Sequence, residues 1–221
     1  MANPAPTGVD ATALLSPAGN GSRGGRREEA VPLRCTAILR EEHSSILRLL
    51  DCLEISARTV RSGGAVRGDV FVGAFRLINV FVTQCHYAKE TYLLTMITDS
   101  GVWPPAGILD EHRDSLDFAA AMLRLLPDAV GGDRTARRML AENATAYAGF
   151  MRAHIGREEM FVFSAADAVL TRRDDGAAAG AFARIDTQTC SPFSGTPADD
   201  VKRILASAVD PVEEAAPARR W

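Results

Sequence analysis

A chain of 221 residues, 47% of them hydrophobic, is long enough for one domain with a sizeable core. Its net charge of −3 leaves no basic footprint for nucleic acid or an anionic membrane surface, and no charge-free run of about 18 apolar residues marks a membrane span. The four cysteines (Cys35, Cys52, Cys85, Cys190) show no Cys-x-x-Cys spacing and nothing resembling a disulfide framework; with no convincing signal peptide, this predicts a reducing, cytoplasmic setting.

Residues 1–31 are rich in Gly, Pro, Ala and Ser and are expected to form a disordered tail. From residue 32 apolar side chains recur at helical spacing. A first helix is predicted over about 32–60, with Leu39, His43, Ile46, Leu47, Leu50 and Leu53 on one stripe and Ser62-Gly63-Gly64 ending it. A second, over about 67–99, aligns Phe71, Phe75, Ile78, Val82, His86, Glu90, Leu93 and Ile97. The turn at Asp99-Ser100-Gly101 and Pro104-Pro105 leads to a third over about 105–126, with Leu109, His112, Leu116, Ala119 and Leu123 aligned. Pro127 and Gly131-Gly132 are expected to break it. A fourth helix, over about 133–171 with Asp133 as N-cap, turns Leu140, Ala144, Tyr147, Met151, His154 and Glu158 inward.

Four helices joined by short breaks make residues 32–171 an all-α, antiparallel up-down-up-down four-helix bundle. Residues 172–221 read as a C-terminal extension, partly helical. It has short helices over 177–186 and 198–209, a loop over 190–197 and a frayed end over 211–221. An extension that covered the mouth of the bundle and shaped a substrate pocket would favour an enzyme.

The chain's four histidines, His43, His86, His112 and His154, fall one to each predicted helix, on its apolar stripe. A lone histidine in such a place is usually a satisfied core residue. Two of these, however, open the same pattern, His86-Tyr-Ala-Lys-Glu90 and His154-Ile-Gly-Arg-Glu158. Positions i and i+4 share a helix face, so each pair aims an imidazole and a carboxylate at one point. Two carboxylates converging in a core are costly unless cations compensate them, and a pair of divalent metals would do so. Nitrogen and oxygen donors without thiolate suit iron, manganese or zinc.

The segments Glu42-His43, His86-x-x-x-Glu90, Glu111-His112 and His154-x-x-x-Glu158 resemble the haemerythrin-like (HHE cation-binding) domain in order and spacing, over about residues 35–170. The local contexts HYAKETYLLTMI, LDEHRDSLDFAAAM and HIGREEMFVFSAAD are similar as well. The resemblance implies two non-haem iron ions, oxo- or hydroxo-bridged when oxidised. His43, His86, His112 and His154 would be nitrogen ligands, with Glu90 and Glu158 bridging. The chain departs from the oxygen-carrying members, which place two histidines four apart on the third helix. Here Leu116 and Ile108 flank His112 at that spacing. One nitrogen ligand is therefore missing, which implies an open coordination position or a substitute.

Candidate substitutes are Glu159, Glu111, Glu42, Tyr92 and Tyr147. Spacing favours Glu158 over Glu159 as the fourth-helix ligand. Glu42 and Glu111 each precede a histidine and are turned about 100° off the site, so each is expected to be an exposed helix-face carboxylate. Tyr147, two turns before His154, is either a proton donor to the pocket or a core residue. Such a protein is expected to bind O2, NO or peroxide, or to hold iron. The alternative is a di-iron redox enzyme, catalase- or peroxidase-like, or an O2-dependent oxidase or oxygenase of a small organic substrate. A third reading is an interaction protein whose metal is structural.

Overall fold

The computed structural model describes residues 32–189 and 197–209. The tail expected over 1–31, most of the loop expected over 190–197 and the frayed end expected over 211–221 lie outside the described residues. Within them all regular structure is helical, with no strand. The elements are α1 (Arg34–Arg61), α2 (Gly68–Arg76), a π-helical segment π1 (Leu77–His86), α3 (Tyr87–Asp99), α4 (Ile108–Val130), α5 (Arg134–Arg157), a second π-helical segment π2 (Glu158–Phe163), α6 (Ser164–Val169), α7 (Arg172–Thr189) and α8 (Pro197–Val209). Two series run without interruption, α2–π1–α3 and α5–π2–α6, and each makes one long rod. α5 packs along α1 and α4, and α2 packs against α1 and α4. α7 lies on α1, α3 and π1, while α8 lies on α1 and α2.

Local chemistry explains where these helices start and stop, including where they depart from expectation. Asp133 caps α5 by accepting from the Ala136 N–H at 2.7 Å. α4 runs through Pro127 to Val130, beyond its expected end. Proline in a last turn removes a single helical hydrogen bond, and Pro127 itself is exposed to water. The helix closes instead at Gly131, whose N–H reaches the Pro127 carbonyl at 2.9 Å, and at Gly132, whose φ of 102° only glycine adopts freely. α7 is longer than the predicted 177–186 because Thr171 and Asp174 form a reciprocal cap. The Thr171 N–H donates to Asp174 at 2.9 Å, and the Asp174 N–H donates to the Thr171 hydroxyl at 3.3 Å.

The N-terminus of α1 is satisfied from far along the chain. No side chain next to it caps it. Asp175 of α7 accepts from the N–H groups of Arg34 and Cys35 at 3.1 and 2.9 Å, and Asp167 of α6 accepts from that of Leu33 at 3.0 Å. The extension thus closes the orphan donors of the first helix.

The buried apolar residues form two clusters. One gathers Ile46, Leu50, Leu53, Phe71, Val82, Met122, Leu140 and Met151; the other gathers Leu39, Leu93, Ile97, Ile108, Val162, Phe163 and Phe182. Each fully buried Leu, Ile or Phe contributes about 1.5–3 kcal/mol. In each rod the two clusters change over near a histidine: between Leu39 and Ile46, Tyr87 and Leu93, Ile108 and Ala119, and Ile155 and Val162.

Cys35 and Cys52 are free, buried thiols. Burial, joined by the Asp175 carboxylate, pushes Cys35 up to about 12, and burial pushes Cys52 up to about 11, so neither is reactive. Cys85 is disulfide-bonded, although the cysteine spacing shows no disulfide framework; spacing along a chain does not report pairing across a fold. Among the described residues no helix is long and apolar enough to cross a membrane.

Candidate metal centre

The gap between the two apolar clusters is filled by His43 of α1, His86 at the end of π1, Glu90 of α3, His112 of α4, His154 of α5 and Glu158 at the start of π2, all buried. Glu90 contacts three of the imidazoles. Its Oε1 lies 2.8 Å from His86 Nε2 and 3.2 Å from His43 Nε2, while Oε2 lies 3.3 Å from His112 Nε2. Glu158 spans them from the other side. Its Oε2 is 3.4 Å from His43 Nε2, and its Oε1 is 3.3 Å from His154 Nε2 and 3.6 Å from His112 Nε2. The donor atoms fall into two groups, His43–His86–Glu90 and Glu90–His112–His154–Glu158, each gathered within 4.8 Å. Each group can hold a metal ion.

Among the described residues, five buried atoms of this cluster make no hydrogen bond of good geometry, only the ion-pair contacts of 3.3–3.6 Å with imidazoles or carboxylates of the cluster: Glu90 Oε2, both Glu158 carboxylate oxygens, and the Nε2 atoms of His112 and His154. Buried polar atoms are nearly always paired, so such a concentration of orphans around one point marks a place built for something else.

Electrostatics make the same demand. Burial alone would lower the pKa of His86, but Glu90 and Glu42 outweigh it and push the imidazole up to about 10. His112 is likewise pushed up to about 9, against burial, by Glu158 and Glu90. Burial would raise Glu90, yet His86, His112 and His43 hold it well below the usual carboxylate range. Without a metal, protons on His86 and His112 balance the buried Glu90 carboxylate.

Outside the cluster each imidazole is oriented by a second contact. His86 Nδ1 lies 2.8 Å from Glu42 Oε2, His154 Nδ1 2.7 Å from Glu111 Oε2, and His43 Nδ1 3.1 Å from Glu159 Oε1. An Nδ1–H donating to a carboxylate leaves the Nε2 lone pair facing inward, as a metal requires. His112 instead lies flat on the Tyr87 ring, with centroids 3.8 Å apart and planes within 2°. The Tyr87 hydroxyl is 2.9 Å from the Ser115 hydroxyl and donates to Met151 Sδ at 3.6 Å.

Both long rods become π-helical at the cluster, as helices often do at functional sites. In each a hydroxyl reaches five residues back: Thr83 donates to the Ile78 carbonyl at 2.8 Å and Ser164 to the Glu159 carbonyl at 3.2 Å.

Of the residues weighed from sequence, the four histidines, Glu90 and Glu158 meet in the cluster. Glu159 stands outside it, behind His43. Glu42 and Glu111 are not exposed helix-face carboxylates as expected; their side chains are 14% and 22% exposed. A turn of about 100° away from the adjacent histidine aims each at the neighbouring helix rather than at water. Tyr147 is fully buried with an unpaired hydroxyl and packs near Phe118, at 6.4 Å between rings, outside the ligand set. Tyr92 is at the surface against Phe182, at 6.4 Å.

Sequence reasoning missed Tyr87, Ser115, Lys89 and Arg157. For the last two a signal exists, since both His-x-x-x-Glu patterns are His-x-x-cation-Glu. Lys89 pairs with Glu42, and Arg157 lies 2.6 Å from Glu111.

Compared with protein-family models, with curated proteins and with solved structures, the chain matches none.

Proposed function

We propose that the cluster is a dinuclear non-haem iron centre and that the protein binds O2, NO or peroxide there, as a carrier, store or sensor. The observation that carries this reading is the set of five orphaned donor atoms, buried and converging on one point. His43 and His86 would hold one ion and His112 and His154 the other, with Glu90 and Glu158 shared between them. Imidazole and carboxylate without thiolate suit iron, manganese or zinc; the resemblance to haemerythrin-like domains selects iron. With it goes the proposed topology, an antiparallel four-helix bundle of α1, α2–π1–α3, α4 and α5–π2–α6.

When bound, two Fe(II) ions would supply reducing equivalents and open coordination positions for a small electron-rich ligand. The chain's own residues set the conditions. Glu42, Glu111 and Glu159 keep the imidazoles turned inward. Phe163 stacks on His43 at 5.1 Å and Tyr87 covers His112, so both flanks are dry. Buried Val82, Met151 and Ile155 exclude water and offer nothing to grip a large polar molecule.

A second reading, a redox enzyme acting on a small apolar organic substrate with O2 or peroxide, is favoured by one observation. A cavity of about 580 Å³ lies between Phe75, Ile78 and Val80 on one side and Leu116, Ala119 and Leu123 on the other. Leu116 is one helical turn from His112, and the volume is that of a small-molecule site.

The two readings separate in one experiment. The protein is loaded anaerobically with Fe(II), iron is counted per chain, and spectra are recorded on adding O2, peroxide or NO. A reversible adduct at two irons per chain supports binding. Irreversible oxidation with continued consumption of O2 or peroxide supports the enzyme, and a chain that takes up no iron ends both.

A further inference from the structure

Glu42 and Glu111 occupy equivalent places. Each directly precedes one histidine of a pair and bonds Nδ1 of the other: Glu42, beside His43, serves His86, and Glu111, beside His112, serves His154. Each carboxylate is held in turn by a cation three residues beyond the histidine it serves, Lys89 or Arg157. The cations differ. Arg157 is 37% exposed and needs no further partner, because water solvates the rest of its guanidinium. Lys89 is 1% exposed, and a buried ammonium is costly unless fully paired. It contacts Glu42 on one side and Asp186 Oδ1 of α7, at 2.5 Å, on the other.

A buried point charge shared by two carboxylates is an expensive way to dock a helix. It is a direct way to fix an orienting carboxylate, because Glu42 between His86 and Lys89 has no freedom left. Resting on the dinuclear reading above, we propose that Lys89 is a positioning residue for the His43–His86 half of the centre. It holds Glu42, Glu42 holds the tautomer and ring angle of His86, and α7 completes the arrangement through Asp186. The His43–His86 half is the fixed one, and the His112–His154 half, backed by solvent-facing Arg157, is the adaptable one.

The test is an anaerobic Co(II) titration of the full chain by optical spectroscopy, run beside thermal melts of the metal-free protein. Lys89→Met, Asp186→Asn and Asp175→Ala are compared. Asp175 docks α7 on α1 but touches none of the network. The wild type is expected to bind two Co(II). Lys89→Met should bind one of them about 10–100-fold more weakly, the usual effect of losing an outer partner of a ligand, and keep the other. Asp186→Asn, half exposed and safe for folding, should weaken the same Co(II) by a smaller factor. Asp175→Ala should keep both affinities while melting lower.

A role confined to docking α7 predicts instead that Co(II) affinity follows the melting temperature in all three variants. That result overturns the proposal, as does wild-type affinity for both ions in Lys89→Met and Asp186→Asn. A wild-type chain that binds no Co(II) ends the dinuclear reading itself, and this inference with it.

Discussion

Around His86 the polar contacts run through a buried ammonium and on into the extension: imidazole, Glu42, Lys89, then Asp186 of α7. Around His154 they run outward: imidazole, Glu111, then Arg157 at the surface. Two halves sharing one His-x-x-cation-Glu pattern are finished in opposite environments. On the proposal above, a His-x-x-cation-Glu pattern fixes where an imidazole and a carboxylate point, while the element laid over it decides how firmly they are held. Burial by α7 turns one ion pair into a locked network and leaves the other a solvent-screened contact, a kind that contributes little.

The comparison breaks most forcefully at the ligands. His86→Ala and His154→Ala should each lower iron below two per chain and lower the melting temperature of the iron-loaded protein, because binding and folding are linked. Elemental analysis reads the loss, and unchanged iron in both variants would defeat the ligand assignment.

Next in size is a dependence on pH that separates metal-free from metal-loaded protein. His86 is raised from 6.5 to about 10, so the stability it contributes without metal is complete below pH 6.5 and is lost as pH rises through 10. His112, raised to about 9, acts in the same direction. Metal-free protein should therefore melt at falling temperatures between pH 7 and 10. Loaded protein, whose imidazoles are already neutral, should not. Parallel melting curves across that range would refute the electrostatic account of the cluster.

The smallest effect sharpens the contrast between the halves through α7. Asp175→Ala removes acceptors for two N–H groups of α1 and should cost about 1 kcal/mol, or roughly 2–4 °C in a chain of this size. A loss of that size with iron content intact would show that capping and metal binding are separate duties of the extension.

How much of this was legible in the sequence follows from what a helical repeat encodes. Periodicity reports which residues share a face, so the stripes, the two i+4 pairs and the Asp133 cap could be read directly. It does not report how each helix is rotated against its neighbours. Glu42 and Glu111 therefore read as surface carboxylates although both face another helix. The burial of Lys89 went unseen for the same reason, although its pattern repeats in Arg157. The caps from Asp167 and Asp175 reach across more than a hundred residues, beyond any local signal. The π segments leave little trace beyond Thr83 and Ser164, whose reach to the fifth residue back is visible only in three dimensions.

One consequence follows from the position of the cluster between two separate apolar cores. Every long rod passes through both, yet the layer joining them is made of imidazoles and carboxylates, which a core tolerates only while protons or a metal balance the carboxylates. If the cluster holds metal as proposed, cooperativity in this fold depends on metal supply. With metal bound, the layer welds the two cores into one folding unit and calorimetry should show a single transition. With metal removed, hydrogen exchange should divide the molecule at His43, His86, His112 and His154, one core opening before the other.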